Sequence, residues 1–150
     1  MKTAVITGAA KGIGSAIAVA FAKAGYKVVI NYNTSEERAR ALCQILNDTY
    51  PTEAVCIKAD VSTPEGARKL ISEAISAFGD IDVLVNNAGI AQQKLFTDIT
   101  DGDWSKMLDT NLSSVFYVCR EAVPFMVSRK SGSIVNISSI WGQEGGSCEV

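Results

Sequence analysis

The chain has 150 residues, 47% of them hydrophobic and 20% charged, and fourteen basic against sixteen acidic side chains leave a net charge of −2. That length fits one domain, and compact folding would bury about two-thirds of the roughly 23,000 Å² that an unfolded chain of this size exposes, which argues against wholesale disorder. The charge balance gives no electrostatic case for a nucleic acid or an anionic membrane as partner, and the absence of histidine removes Ser-His-Asp and Cys-His catalysis and every histidine-bearing metal site.

Apolar runs alternate with helical periodicity along the whole chain. Thr3–Ile6 is a short apolar run that stops at Gly8, as a buried parallel strand would. Ile13 to Ala24 follows as a helix with Ile13, Ile17, Ala20, Phe21 and Ala24 on one face, closed by Gly25. Lys27–Asn31 is the second strand. Thr34 and Glu37 fit a capping box, and Ala39, Leu42, Ile45 and Leu46 mark the buried face of the second helix. Ala54–Ile57 is the third strand. Thr63-Pro64 suits an N-cap with proline in the first turn, and Ala67, Leu70, Ile71, Ala74, Ile75 and Phe78 carry the third helix to Gly79. Ile81–Val85 is the fourth strand. Asp103 to Arg129 reads as mainly helical, with a kink or break expected at Pro124. Ser133–Ile137 is the fifth strand, and a Gly/Ser segment follows Gly142.

The four cysteines, Cys43, Cys56, Cys119 and Cys148, are separated by thirteen positions or more, which argues against a zinc site or a C-x-x-C redox pair. Met1-Lys2-Thr3 leads straight into the first strand, and no apolar run approaches the ~20 residues of a membrane helix. A cytoplasmic setting with free thiols is expected, without a disulfide framework. Cys119, in an apolar helix, is expected in the core, Cys148 as an incidental loop cysteine rather than a reactive thiol, and Trp141 as a hydrophobe that anchors a loop rather than one facing a substrate crevice.

Strand-helix alternation implies a doubly wound α/β fold with a parallel sheet and helices on both faces. Flavodoxin-like receivers and nucleotide-binding domains share that pattern, so the loops at the carboxyl ends of the strands must discriminate. The first strand ends in Thr7-Gly8-Ala9-Ala10-Lys11-Gly12-Ile13-Gly14. Glycines there permit close approach of a pyrophosphate, and the following helix aims its amides and positive dipole end at phosphates; a merely tight strand-to-helix turn is the competing reading. No Gly-Lys-Ser/Thr follows, so the turn is not a P-loop. Asn86-Asn87-Ala88-Gly89 closes the fourth strand, where asparagines can satisfy neighbouring backbone groups and line a crevice, or simply make an Asn/Gly turn. Asn111 sits in a helical stretch for which asparagine has poor propensity, and Ser138-Ser139 ends the fifth strand.

Together, Thr7-Gly8-x-x-x-Gly12-x-Gly14, Asp60-Val61, Asn86-Asn87-Ala88-Gly89, Asn111 and Ile137-Ser138-Ser139, in that order, resemble the short-chain dehydrogenase/reductase family over essentially the whole chain, nearest its 3-oxoacyl-carrier-protein-reductase-like branch. The resemblance implies a Rossmann-type domain spanning 1–150, and reversible hydride transfer between a nicotinamide cofactor and a carbonyl or secondary alcohol on a small or acyl-carrier-bound substrate. It implies that Gly8, Gly12, Ile13 and Gly14 form the dinucleotide phosphate turn, that Asp60 and Val61 hold the adenine ring, and that Asn87, Ala88 and Gly89 lie beneath the nicotinamide-side ribose. It also implies that Ser139 hydrogen-bonds the substrate carbonyl and that Asn111 supports a proton-relay water. The family's Tyr-x-x-x-Lys, which follows this serine, does not occur in the 150 residues. The expectation is therefore a domain cut before that motif, lacking the family's last strands. An inactive dinucleotide-binding module and a fragment unable to fold alone are the alternatives.

Asn31-Tyr32-Asn33-Thr34 places no acid at the end of the second strand, and Lys11 offers a cation beside the turn, so NADP(H) is expected in preference to NAD(H), with Asn33 at the 2′-phosphate end. The apolar load of the Asp103–Arg129 stretch (Leu108, Leu112, Val115, Phe116, Val118, Cys119, Ala122 and Val123) exceeds what one sheet face needs, and the resemblance implies a homodimer or tetramer for the full-length form.

Overall fold

A computed structural model describes residues 1–142 and Cys148. Five strands, β1 (Thr3–Ile6), β2 (Lys27–Tyr32), β3 (Ala54–Lys58), β4 (Val83–Asn86) and β5 (Ser133–Asn136), form one parallel sheet in the order β3-β2-β1-β4-β5. Residues Ala4, Val5 and Ile6 of β1 pair with Val28, Val29 and Ile30 on one side and with Val83, Leu84 and Val85 on the other. Helices α1 (Gly12–Lys23), α2 (Glu36–Thr49), α3 (Pro64–Phe78), α4 (Asp101–Leu108) and α5 (Ser114–Arg129) complete a Rossmann-type architecture.

The period of two along each strand splits the core into two layers. Ala4, Ile6, Val28, Ile30 and Val85 face Ala18 and Ala22 of α1 and Ala39 and Leu46 of α2. Val5, Val29, Ile57 and Leu84 face Leu70, Ile71 and Ala74 of α3 and Val118, Ala122 and Met126 of α5. Both faces of the central strands are dry, which is why they read as unbroken apolar runs.

Three local expectations are corrected. The buried stripe of α1 is Gly14, Ala18 and Ala22, while Ile13 is 64% exposed and Ala20 and Ala24 also face solvent. Small residues at i, i+4, i+8 let the helix lie close on the sheet, and that spacing outweighs a face of bulky side chains. The Thr34/Glu37 capping box does not form: Ser35 is the N-cap of α2, no side chain caps it, and Ile45 points to solvent. Pro124 lies inside α5 without ending it, and the interruption falls instead at a π-helical turn, Asp109–Ser113, between α4 and α5. The Thr63-Pro64 start of α3 is as expected, with the Thr63 hydroxyl accepting from the Gly66 N–H at 3.1 Å. The Gly/Ser segment after Gly142 lies outside the described residues, save for Cys148, which is exposed.

The accessible surface is 8,497 Å², against roughly 7,000 Å² for a compact monomer of this size. Part of the exposed surface is apolar. Every residue of β5 is exposed, Ile134 and Val135 among them, and Leu112, Phe116 and Val127 project from the π turn and α5. No helix among the described residues is long and apolar enough to cross a membrane.

Candidate functional site

Strand order reverses direction at β1: β2 and β3 lie to one side, β4 and β5 to the other. Diverging connections at such a point leave a crevice beyond the carboxyl ends of the strands. Here it measures about 740 Å³, walled by the Gly8–Gly14 turn, Asn33 to Ser35, Ala59 to Ser62, Asn87 to Ile90, and Lys106 and Thr110.

The turn is built for close approach. Gly8 has φ +61°, and a Cβ there would sit 2.9 Å from the Ala88 Cα. A Cβ on Gly14 would sit 2.7 Å from the Gly8 carbonyl oxygen and 2.5 Å from the Asn87 amide nitrogen. Both positions therefore exclude a side chain and bring backbone to the crevice surface. No side chain caps the first turn of α1, so its amides and positive dipole end open into the crevice. Lys11, the N-cap residue, is exposed, and among the described residues no hydrogen bond or ion pair engages its ammonium.

Thr7 and Asn87 lock this turn to the β4 end. The Thr7 hydroxyl accepts from the Asn87 and Ala88 N–H groups, each at 2.9 Å, and lies 3.4 Å from the Val85 carbonyl to which it donates. The Asn87 amide donates to the carbonyls of Thr7 at 2.9 Å and Gly8 at 3.2 Å. Asn87 thus satisfies neighbouring backbone and also lines the crevice. Asn86 instead donates to the Asn136 amide oxygen at 2.9 Å and contacts the Cys119 sulfur, tying β4 to β5 and α5; Cys119 itself is partly buried against the core.

At the other wall, Val61 is buried and Asp60 exposed, its carboxylate accepting from the Ser62 N–H and hydroxyl at 3.1 and 2.7 Å. Asn33 is exposed on the rim, as is Ile13. Tyr32 stands buried at the end of β2, and burial, aided by the Glu36 charge, pushes its phenol pKa up, so the ring stays neutral at physiological pH.

Neither Asn111 nor Ser139 lines the crevice, but Asn111 is bonded directly to its wall. Asn111 occupies the π turn; its amide oxygen accepts from the Ile90 N–H at 2.8 Å and its amide nitrogen donates to the Ile90 carbonyl at 3.0 Å. The extra residue of the π turn aims that amide sideways into the loop after β4. Ser139 is exposed beyond β5, its hydroxyl accepting from the Trp141 N–H at 3.3 Å; Trp141 itself, expected to anchor a loop, is instead 54% exposed in the 3-10 turn Ile140–Gly142. Among the described residues no group of acidic or sulfur side chains could hold a metal, and all four cysteines are free thiols.

Sequence reasoning overlooked Lys106 and Thr110 on the wall. Their i, i+4 spacing, one residue before Asn111, is the signal that could have placed them on the same face. It also overlooked Asn31, whose polarity within a buried strand was the clue.

A family profile described as short chain dehydrogenase matches residues 2–150. The 3-oxoacyl-(acyl-carrier-protein) reductase FabG of Staphylococcus aureus is 39% identical over 144 residues, covering 96% of this chain and 58% of that protein. An uncharacterized oxidoreductase of Bacillus subtilis, YmfI, is 38% identical over 149 residues, covering 99% of this chain and 60% of its own length. The chain therefore spans 58–60% of the length of these curated relatives. A metagenomic short-chain oxidoreductase solved in complex with NADP superimposes with a TM-score of 0.92 at 30% identity, over 99% of this chain and 66% of that one. With the glycine turn, the switch-point crevice and the strand order already in place, the match settles the lineage: the chain belongs to the short chain dehydrogenase family.

Proposed function

We propose that the crevice binds a nicotinamide dinucleotide, NADP(H) in preference to NAD(H), as the cofactor-binding part of an oxidoreductase acting on a carbonyl or secondary alcohol. The observation that carries this reading is the uncapped start of α1 beneath a turn whose glycines at 8 and 14 leave no room for a side chain, with the exposed Lys11 ammonium beside it. Such a cradle fits a pyrophosphate, and Lys11 and Asn33 offer a cation and a neutral rim where an acid would repel a 2′-phosphate. The NADP bound to the metagenomic neighbour supports the same choice.

When bound, a nicotinamide dinucleotide supplies two-electron redox chemistry. This chain's residues would hold and orient it: Gly8, Gly12, Ile13 and Gly14 at the phosphates, Asp60 and Val61 at the adenine, Asn87, Ala88 and Gly89 at the inner ribose. Ser139 would donate a hydrogen bond to a substrate carbonyl. Asn111, already engaged with Ile90, would fix the loop that carries Gly89 and hold a relay water. The kinship with a 3-oxoacyl-(acyl-carrier-protein) reductase makes a 3-oxoacyl thioester the substrate to try first. A cytoplasmic setting belongs to the same reading.

Reducing a carbonyl builds negative charge on oxygen, and a positioned proton donor contributes ~10²–10⁴-fold to such a step. The 150 residues contain neither histidine nor a Tyr-x-x-x-Lys, and a serine hydroxyl is a poor acid at neutral pH. The chain alone is thus expected to bind cofactor with little turnover. Fluorescence titration with NADPH and NADH tests the first half: NADPH binds more tightly, and Lys11→Ala weakens NADPH selectively. Equal or tighter NADH binding overturns the preference. Following NADPH oxidation with ketones and 3-oxoacyl esters tests the second, and turnover matching that of an extended chain carrying Tyr-x-x-x-Lys would relocate the proton donor.

A further inference from the structure

Asn31 lies in β2 with its side chain 2% exposed, among Val29, Ile57 and Ala59. Burying a primary amide in an apolar layer is costly unless its donors and acceptor are matched. Here they are matched by partners that, among the described residues, no other side chain joins. The amide oxygen accepts from the Gly8 N–H at 3.2 Å. The amide nitrogen donates to the Ala59 carbonyl at 3.0 Å and the Ile57 carbonyl at 3.3 Å. The main chain runs the same way, with the Ala9 N–H donating to the Asn31 carbonyl at 2.9 Å and the Ala59 N–H to the Tyr32 carbonyl at 2.9 Å.

The β1–β2 ladder ends at Ile6 and Ile30, and the β2–β3 ladder at Tyr32 and Lys58. Beyond those pairs the strands diverge to open the crevice, and the segments that diverge are its two walls: the glycine turn on one side and Ala59–Ser62 on the other. Among the described residues, Asn31 is the side chain that bridges them.

We infer that Asn31 is a positioning residue that sets the spacing between the phosphate turn and the Asp60–Val61 wall, and so tunes dinucleotide affinity without touching the ligand. The inference rests on the dinucleotide reading above. Its physical content is preorganisation: a ligand that spans both walls binds best when their separation is already fixed. Two substitutions separate the two halves of the joint. Asn31→Leu removes both links at similar volume. Asn31→Asp keeps an acceptor for the Gly8 N–H but turns a carboxylate oxygen toward the Ala59 and Ile57 carbonyls, which repel it.

The test titrates NADPH into this chain and both variants well below their melting temperatures, with amide hydrogen exchange on the ligand-free proteins. Leu46→Ala, which opens the α2 side of the core away from the crevice, controls for lost stability. The expected result is NADPH affinity weakened about tenfold or more in both Asn31 variants, the order set by one lost buried hydrogen bond, while Leu46→Ala stays within about twofold at a comparable melting temperature. Exchange at the Gly8 amide should rise in Asn31→Leu and stay protected in Asn31→Asp, while the Ala59–Val61 amides loosen in both. Parent-like affinity in both variants, or equal weakening in Leu46→Ala, overturns the inference and leaves the dinucleotide reading intact. A parent chain that binds no dinucleotide overturns that reading instead. The exchange pattern still decides whether Asn31 joins the walls, and unchanged exchange in both variants refutes it.

Discussion

Thr7 bears more of the site than its size suggests. One hydroxyl accepts two backbone N–H groups, from Asn87 and Ala88, both of them partly buried beside the end of β1. Thr7→Val preserves shape and branching, so its effect isolates the hydrogen bonds. Each stranded buried donor costs about 1–3 kcal/mol. Urea unfolding should show a loss of that order or greater for T7V, together with weaker dinucleotide binding, since the Asn87–Gly89 segment loses its anchor; parent-like stability would mean that water replaces the hydroxyl. Threonine before a glycine was visible in the sequence, yet its role was not, because both partners lie about eighty residues away.

Among the elements, α4 has the most explicit start signal, and the structure ties it to the site. Thr100 and Asp103 form a reciprocal capping box, and the Asp103 carboxylate also takes the Lys94 ammonium at 2.6 Å and the Gln92 amide at 3.0 Å. The Lys94 contact, then the Thr100 hydrogen bonds, hold the Asp103 pKa well below the ordinary carboxylate range. A depressed folded-state pKa contributes stability that is fully present above the unfolded-state value near 4 and fades as pH falls through that value toward the folded one. Asp103→Asn should therefore lower the melting temperature at neutral pH, with the gap to the parent closing as pH drops below about 4. A gap that is constant with pH would assign the effect to lost hydrogen bonds alone. The C-terminal half of this helix carries Lys106, and Thr110 follows in the π turn, so fraying at Thr100 would reach the crevice wall.

At the scale of the molecule, the unresolved business is apolar surface. Leu108, Leu112, Phe116, Val123 and Val127 recur at intervals of four and seven along α4, the π turn and α5, and all are exposed, with Phe116 at 59%. Val118, Ala122 and Met126 on the other side of α5 satisfy the sheet, so this second stripe has no use within the described fold. A stripe of that kind on a helix argues for a partner surface, and a homo-oligomer through α4 and α5 is the assembly we expect. Light scattering at micromolar concentration should report an oligomer, and Phe116→Lys should shift it toward monomer while leaving far-ultraviolet circular dichroism unchanged. A monomeric parent would contradict the expectation. The exposed edge of β5, uncharged and free of proline, is a second route to association, and aggregation that F116K does not relieve would point there.

Features that act over a few residues were legible in the order of residue types alone. Alternating apolar runs and helical stripes specified the order of strands and helices, because each period reports which face an element buries. The glycine turn and the Thr63-Pro64 start were legible because backbone geometry permits few residues there. Folding settled what depends on distant partners. It chose Gly14, Ala18 and Ala22 over bulkier neighbours as the α1 seam, since closeness to a sheet cannot be read from hydrophobicity. It moved the interruption of the long helix from Pro124 to the turn around Asn111, where the side chain finds the backbone of Ile90 across 21 residues of sequence. And it gave Asn31 its function: a buried amide has meaning only through the groups that satisfy it, and those of Asn31 stand 23 to 28 residues away on opposite sides of its strand.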